Sequence, residues 1–144
     1  MPGDNGATRA VLDASIAVRW FIPEVGTDRV VELMQSCDKW IAPRLIVTEF
    51  ASAMRRKVVA GEVRAEFAVD ALDTLRTTIA EGLLDLAFDE TLVSSALTLA
   101  LTLLHKIPDC MYLALAEREG IALATADVTL ARLARQRGTA VLFG

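Results

Sequence analysis

Two aspartates stand directly after short apolar segments of the kind that form buried strands. Asp13 follows the sequence RAVL, and Asp127 follows IALATA. In an open parallel sheet, ligands bind beyond the carboxyl ends of the strands. If the two strands are neighbours, both carboxylates therefore point to one crevice.

Two further acids have apolar surroundings in which a free carboxylate is costly. Glu49 lies within LIVTEFASAM, and Asp109 precedes the run CMYLALA. Carboxylates that come together repel one another, and a divalent cation relieves that repulsion. An all-oxygen site suits Mg²⁺ or Mn²⁺ rather than zinc, and such a cation stabilises charge that develops on a phosphate. The candidate metal ligands and catalytic residues are therefore Asp13, Glu49, Asp109 and Asp127.

Each of these acids also has an ordinary structural explanation. The three aspartates each precede a predicted helix, where an aspartate commonly caps the helix N-terminus. Glu49 is not explained by capping, although an ion pair with Arg55 or Arg56 would neutralise its charge. The structural explanations are plausible one by one and less plausible jointly.

The bulk composition argues against several other classes of protein. With 15 basic and 19 acidic residues the net charge is -4, which argues against nucleic-acid binding by charge alone. His105 is the only histidine, so neither a His-based zinc site nor a serine–histidine triad is expected. Cys37 and Cys110 lack metal-ligand spacing, and a reduced, cytoplasmic setting is expected. No apolar run reaches the roughly 18 residues of a membrane span, so no membrane contact is expected.

Strands and helices alternate along the chain, as the spacing of apolar residues indicates. This alternation predicts one α/β domain over 9–144, with a mostly parallel sheet covered on both faces. Residues 1–8, rich in Gly, Asp and Asn, are expected to form a flexible tail. Asp89 is expected to cap its own helix, and Pro23 to stop the first helix. Strands are predicted at 9–12, 40–42, 83–87, 121–124 and 140–143, and helices at 14–22, 27–37, 44–59, 62–80, 89–104, 109–119 and 128–137.

Four segments resemble the PIN domain family and are most similar to the VapC-type toxins of prokaryotic toxin–antitoxin pairs. They are VLDASIAVRWFIPE, PRLIVTEFASAMRRK, HKIPDCMYLALAEREG and LATADVTLARLA. The family's four acids fall on the four candidate residues in the family's order, and Tyr112 follows the third acid as in the family. The chain differs from many members in having Ser52 where asparagine is common and Pro108 where tyrosine is common.

The resemblance implies a three-layer α/β/α sandwich and a metal-dependent endoribonuclease that uses Mg²⁺ or Mn²⁺. Toxins of this type usually act on RNA of the translation apparatus, such as tRNA or rRNA. They are usually homodimers, and a cognate antitoxin covers the site. If the chain resembles the family in this respect too, we expect Asp13 and Asp109 to hold the metal most directly, and Glu49 and Asp127 to complete the site.

Two alternative functions remain. A catalytically inactive PIN-fold scaffold that binds RNA or protein is the main alternative, although a scaffold has little reason to retain four repelling acids. A receiver-type signalling domain needs paired acids after its first strand and a lysine near its last. Here Ala14 follows Asp13, and the closing strand AVLFG has no lysine.

Several further side chains have a functional and a structural interpretation that the sequence leaves open. The basic run Arg55–Lys57 could contact an RNA backbone or complement a helix C-terminus. His105 could donate to a phosphate or serve the fold, and Ser15 and Thr125 could orient carboxylates. The 27–37 and 62–80 helices are candidates for subunit or antitoxin surfaces. Three aromatic side chains could stack on bases or pack in the core or against another subunit: Trp20, Phe21 and Trp40.

Overall fold

The structure, a computed structural model, describes residues 8–22 and 27–143. The predicted stop at Pro23 and all but Thr8 of the predicted tail lie outside these residues. The strand and helix order is the predicted one, with most boundaries within two residues. The elements are β1 (Arg9–Leu12), α1 (Ala14–Phe21), α2 (Thr27–Ser36), β2 (Lys39–Pro43), α3 (Leu45–Val59), α4 (Ala65–Ala80), β3 (Leu84–Ala87), α5 (Val93–Leu103), α6 (Ile107–Glu119), β4 (Ala122–Thr125), α7 (Val128–Gln136) and β5 (Val141–Phe143).

The five strands form one sheet in the order β3-β2-β1-β4-β5, and every pairing in it is parallel. β1 is the central strand, where Val11 pairs with Ile41 of β2 on one side and with Leu123 of β4 on the other. The predicted α/β class and parallel sheet are confirmed. The sheet order also makes the strands before Asp13 and Asp127 direct neighbours.

The helices cover both faces of the sheet. Helices α1 to α4 connect β1 to β2 and β2 to β3, and these connections run towards the β3 edge of the sheet. Helices α5 and α6 connect β3 to β4, and α7 connects β4 to β5, so these connections run towards the β5 edge. Because such parallel crossovers are right-handed, the two sets lie on opposite faces. On one face α3 packs against α1 and α4, and on the other α5 packs against α6.

Helix α6 is the buried helix that its apolar sequence predicts. Every side chain from Asp109 to Ala116 is buried, and α6 contacts the three central strands as well as α5. Among the described helices, none is long and apolar enough by itself to cross a membrane; only α5 and α6 taken together pass that test, and they are bent by 113°.

The segment after β3 differs from its prediction. A short 3-10 helix over Asp89–Thr91 precedes α5, so the α-helix starts at Val93 instead of at Asp89. The predicted cap is also wrong, because the Asp89 carboxylate accepts a hydrogen bond from the backbone N–H of Leu45 at 3.1 Å. Asp89 therefore holds the first turn of α3, the helix that carries Glu49.

Replacing Asp89 with alanine is expected to lower the free energy of unfolding by about 1 kcal/mol, since the first turn of α3 loses its side-chain acceptor. Urea denaturation measures the change. Asp89→Asn keeps an acceptor oxygen and is expected to stay within a few tenths of a kcal/mol of the wild type. Equal losses in both variants would show that Asp89 acts through its charge and not as a cap.

Candidate active site

Asp13 and Asp127 lie at the carboxyl ends of two paired strands. Asp13 follows β1, and its backbone N–H donates to the carbonyl of Ala124 in β4 at 3.0 Å. Asp127 stands two residues beyond Thr125, the last residue of β4. The structure therefore places the two aspartates beside one crevice at the end of the sheet, as the sequence predicts.

The Asp13 carboxylate is buried and held by two hydroxyl groups. Its exposed fraction is 6%, and Oδ2 accepts hydrogen bonds of 2.7 Å from Ser15 Oγ and from Thr125 Oγ1. The Thr125 hydroxyl also accepts the backbone N–H of Asp127 at 3.0 Å. Ser15 and Thr125 therefore tie the turn after β1 to the turn after β4.

Glu49 lies in the first half of α3 and pairs with a tyrosine from the opposite side of the sheet. The hydroxyl of Tyr112, in the buried helix α6, donates to Glu49 Oε1 at 2.7 Å. Among the described residues neither Arg55 nor Arg56 forms an ion pair with this carboxylate, so the simple structural explanation for Glu49 is wrong.

Asp109 does not cap its helix, in contrast to the capping alternative. It lies inside the first turn of α6, and Lys106 occupies the N-cap position. Its Oδ2 atom lies 2.7 Å from His105 Nε2 and 3.8 Å from Lys106 Nζ. Pro108 also stands in this first turn, where a missing N–H costs no helical hydrogen bond. His105 thus contacts a candidate site carboxylate directly.

Asp127 is an N-cap, as the structural alternative allows. Its Oδ1 accepts the backbone N–H of Leu130 at 3.0 Å, at the start of α7. Asp13 occupies the corresponding position of α1 and makes no side-chain capping bond. Capping therefore explains one of the three aspartates.

All four acids line a single open cavity of about 600 Å³. They come from four different parts of the fold: the end of β1, the face of α3, the first turn of α6, and the turn between β4 and α7. Basic side chains share the same wall, and sequence reasoning missed two of them, Arg19 and Lys106. Arg55 is not among the lining residues, whereas Arg56 and Lys57 are.

Burial and mutual repulsion oppose ionisation inside this cavity. Burial raises the pKa of Asp13 above its ordinary value although Thr125 and Ser15 favour the charged form, and the charge on Asp109 raises it further. Burial also raises the pKa of Glu49; Tyr112 counteracts the rise, while Asp13 and Asp109 add to it. The hydrogen-bond donors to Asp13 and Glu49 therefore do not fully offset burial and the repulsion between the carboxylates.

Each acid is anchored through one of its oxygens. The second carboxylate oxygen of Glu49, Asp109 and Asp127 accepts no hydrogen bond from the described part of the chain. Over the same residues, no three acid, histidine or cysteine side chains form a ready-made metal cluster. The donor set is nevertheless chemically suited to a hard divalent cation, because it consists of carboxylate oxygens whose repulsion a cation would relieve.

The aromatic side chains are divided between core and surface. Trp40 is buried, and Phe21 packs edge-on against Phe50 with ring centroids 5.3 Å apart. Trp20 is 38% exposed. None of the three predicted aromatic residues lines the acidic cavity, so a base-stacking role at this site is not supported.

Comparison with known proteins supports the architecture. The family model of the PIN domain matches residues 10–136. A crystal structure of PAE2754 from Pyrobaculum aerophilum superposes with a TM-score of 0.69 at 19% identity, covering 94% of this chain and 91% of that one. VapBC2 from Rickettsia felis, solved bound to a DNA fragment from its promoter, gives 0.59 at 13% identity, covering 93% and 97%. No curated protein sequence gives a significant match.

Replacing Asp13 with asparagine is expected to stabilise the metal-free protein increasingly as the pH rises. The fold raises the pKa of Asp13, so the folded protein holds this proton more tightly than the unfolded chain, in which the pKa is about 3.9. The carboxyl group therefore favours folding most below that pH, and this contribution is lost as the pH rises through the folded pKa.

Urea denaturation in chelator, between about pH 4 and about pH 7, measures this difference in the free energy of unfolding. The variant's advantage over the wild type should grow across the range. Asp85→Asn, which removes an exposed carboxylate paired with Lys39, shows the effect of losing a surface charge. A difference between Asp13→Asn and the wild type that does not change with pH would contradict the prediction.

Proposed function

Since the chain belongs to the PIN domain family, we propose that it is an endoribonuclease that hydrolyses RNA phosphodiester bonds with the help of a divalent cation. The observation that carries the proposal is the convergence of Asp13, Glu49, Asp109 and Asp127 on one cavity. PIN domains are generally nucleases, and an open cavity admits a polymer strand. The charge pattern of acids beside basic side chains suits a cation together with a phosphate.

Asp13 and Asp109 would hold Mg²⁺ or Mn²⁺ most directly, and Glu49 and Asp127 would complete the site. When bound, such a cation activates water and stabilises charge on the phosphate. The protein's own contribution is positioning. Tyr112 holds Glu49, and the high pKa of its buried hydroxyl keeps it protonated, so that it remains a donor. Ser15 and Thr125 fix Asp13 in the same way through neutral groups, which orient the carboxylate without neutralising it.

The biological setting we propose is that of a VapC-type toxin with a cognate antitoxin, acting on RNA of translation such as tRNA or rRNA. The segments around the four acids resemble that type of toxin, and the similar fold of VapBC2 from Rickettsia felis supports it. An antitoxin that covers the cavity would silence the protein by blocking access to the acids.

The Asp109→Asn variant is expected to cut RNA at least about 100-fold more slowly than the wild type, since it loses charge at the cation site while keeping its shape. Cleavage of total cellular RNA by the purified protein, with Mg²⁺ or Mn²⁺ and with chelator, measures this. Asp70→Asn, on an exposed turn of α4, is the matched control and should cut at the parent rate.

Discrete RNA fragments that require both the cation and Asp109 are the expected result. Cleavage by Asp109→Asn at the parent rate would refute the site assignment. A folded wild-type protein that cuts nothing in either cation would instead support the inactive scaffold.

We further propose that the chain forms a homodimer through α5. One row of large apolar side chains on this helix is exposed, and the helix contains no charged residue. In a twofold contact each residue near the axis meets its own copy, so an uncharged surface can pair with itself without repulsion. The row consists of Val93 (46% exposed), Leu97 (49%), Leu101 (69%) and Leu104 (89%).

Leu101→Glu is expected to lower the dimer fraction, because it places two like charges in an apolar contact. Val59→Glu is the matched control: Val59 is 70% exposed against 69% for Leu101, and it lies at the end of α3. Sedimentation velocity over a range of concentrations measures the dimer fraction. If the wild type stays monomeric, or if both variants dissociate alike, the α5 interface is wrong.

A further inference from the structure

The acidic cavity has a basic rim, and two of its lysines already have carboxylate partners. Lys106 Nζ lies 3.8 Å from Asp109 Oδ2, and its charge counteracts a small part of the rise that burial causes in the pKa of Glu49. Lys57 Nζ lies 3.2 Å from Glu62 Oε1. These two cations offset charges of the protein itself.

Arg56 lines the same cavity and differs from these lysines. It is exposed, and within the described residues its side chain has no ion-pair or hydrogen-bond partner. It stands seven residues after Glu49, which is two helical turns and about 10 Å along α3. Glu49, Ser52, Ala53 and Arg56 lie on one face of that helix and line the cavity together.

Arg55 provides an internal comparison. It is exposed like Arg56 and adjacent to it, yet it is not among the residues that line the cavity. The step of about 100° between successive residues of a helix turns it away from the acids. The two arginines therefore match in charge, helix position and exposure, and they differ in the surface they face.

We propose that Arg56 binds a backbone phosphate of the RNA beside the phosphate that is cleaved; this assignment rests on the proposed nuclease function. A polyanion approaching four carboxylates in a protein of net charge -4 is repelled, so a local cation must offset that repulsion. The planar guanidinium suits phosphate because it donates two parallel hydrogen bonds. The distance along α3 places it beside the acids and not among them.

The test is binding of a fluorescein-labelled single-stranded RNA 12-mer of mixed sequence, followed by anisotropy in chelator over a series of salt concentrations. Arg56→Ala is expected to weaken binding about three- to tenfold and to reduce the slope of log K against log salt by about 0.7, the value for one phosphate contact. Arg55→Ala should change neither. Arg56→Lys should keep the slope and lose part of the affinity.

Equal effects of Arg55→Ala and Arg56→Ala, or a wild type that binds no RNA, would overturn the assignment. Single-stranded DNA of the same sequence should show the same loss, because the phosphate is common to both. A loss confined to RNA would mean that Arg56 reads the 2′-hydroxyl instead. If Arg56→Ala weakens binding but the wild type cuts nothing with Mg²⁺ or Mn²⁺, the phosphate contact stands and the nuclease fails.

Discussion

Asp13 carries a carboxylate that is 6% exposed and lies at the carboxyl end of the central strand β1, beside the end of β4. Placing an ionised carboxylate there costs several kcal/mol. The two hydroxyl hydrogen bonds, each worth about 1.5–3 kcal/mol to a charged acceptor, offset much of that cost but not all of it. Because part of the cost of burial is not offset, the pKa of Asp13 stays above its ordinary value. Ser15 and Thr125 suit this carboxylate because their hydroxyl groups are small and neutral and each donates a hydrogen bond of 2.7 Å to it.

The same pattern extends across the cavity. Tyr112 and the N–H of Leu130 hold Glu49 and Asp127 with neutral donors, and such donors fix a carboxylate in place without removing its charge. Lys106 alone of the described basic side chains lies within 4 Å of a site carboxylate as a permanent cation. The fold therefore orders its acids while leaving their combined charge largely uncompensated. Such a surplus fits a cation that binds from solution better than it fits a structural role.

Much of the architecture could be predicted from local patterns. The apolar spacing predicts every strand and every α-helix, and strand ends followed by aspartate predict where Asp13 and Asp127 lie. The contact between Glu49 and Tyr112 could not be predicted, because it joins residues 63 apart across the sheet. The hydrogen bond of Asp89 could not be predicted for the same reason. Local sequence places Asp89 at the start of its own helix, whereas only the pairing of β2 and β3 brings it near Leu45.

Which side chains of an apolar helix are exposed could not be predicted from the sequence either. For α5, the apolar spacing predicts that Leu92, Ala96, Leu99 and Leu103 form one side of the helix. Leu92, Ala96 and Leu99 are buried, and Leu103 is partly buried. A second apolar row on the same helix faces outward, and nothing in the spacing distinguishes a row that packs against α6 from one that does not. The basic cluster after Glu49 shows the same limit, because only the fold separates Arg56 from Arg55.

The end of α5 has a consequence for motion. The described glycines with positive φ all lie at turns, where this conformation costs them little, but the residue that caps the C-terminus of α5 is Leu104, with φ 53°. A side chain in this left-handed region costs about 1–2 kcal/mol. That strain lowers the free energy needed to open the junction locally. The next residue is His105, which contacts Asp109, so a local opening of this helix end would break a contact to a site carboxylate without breaking any strand pairing.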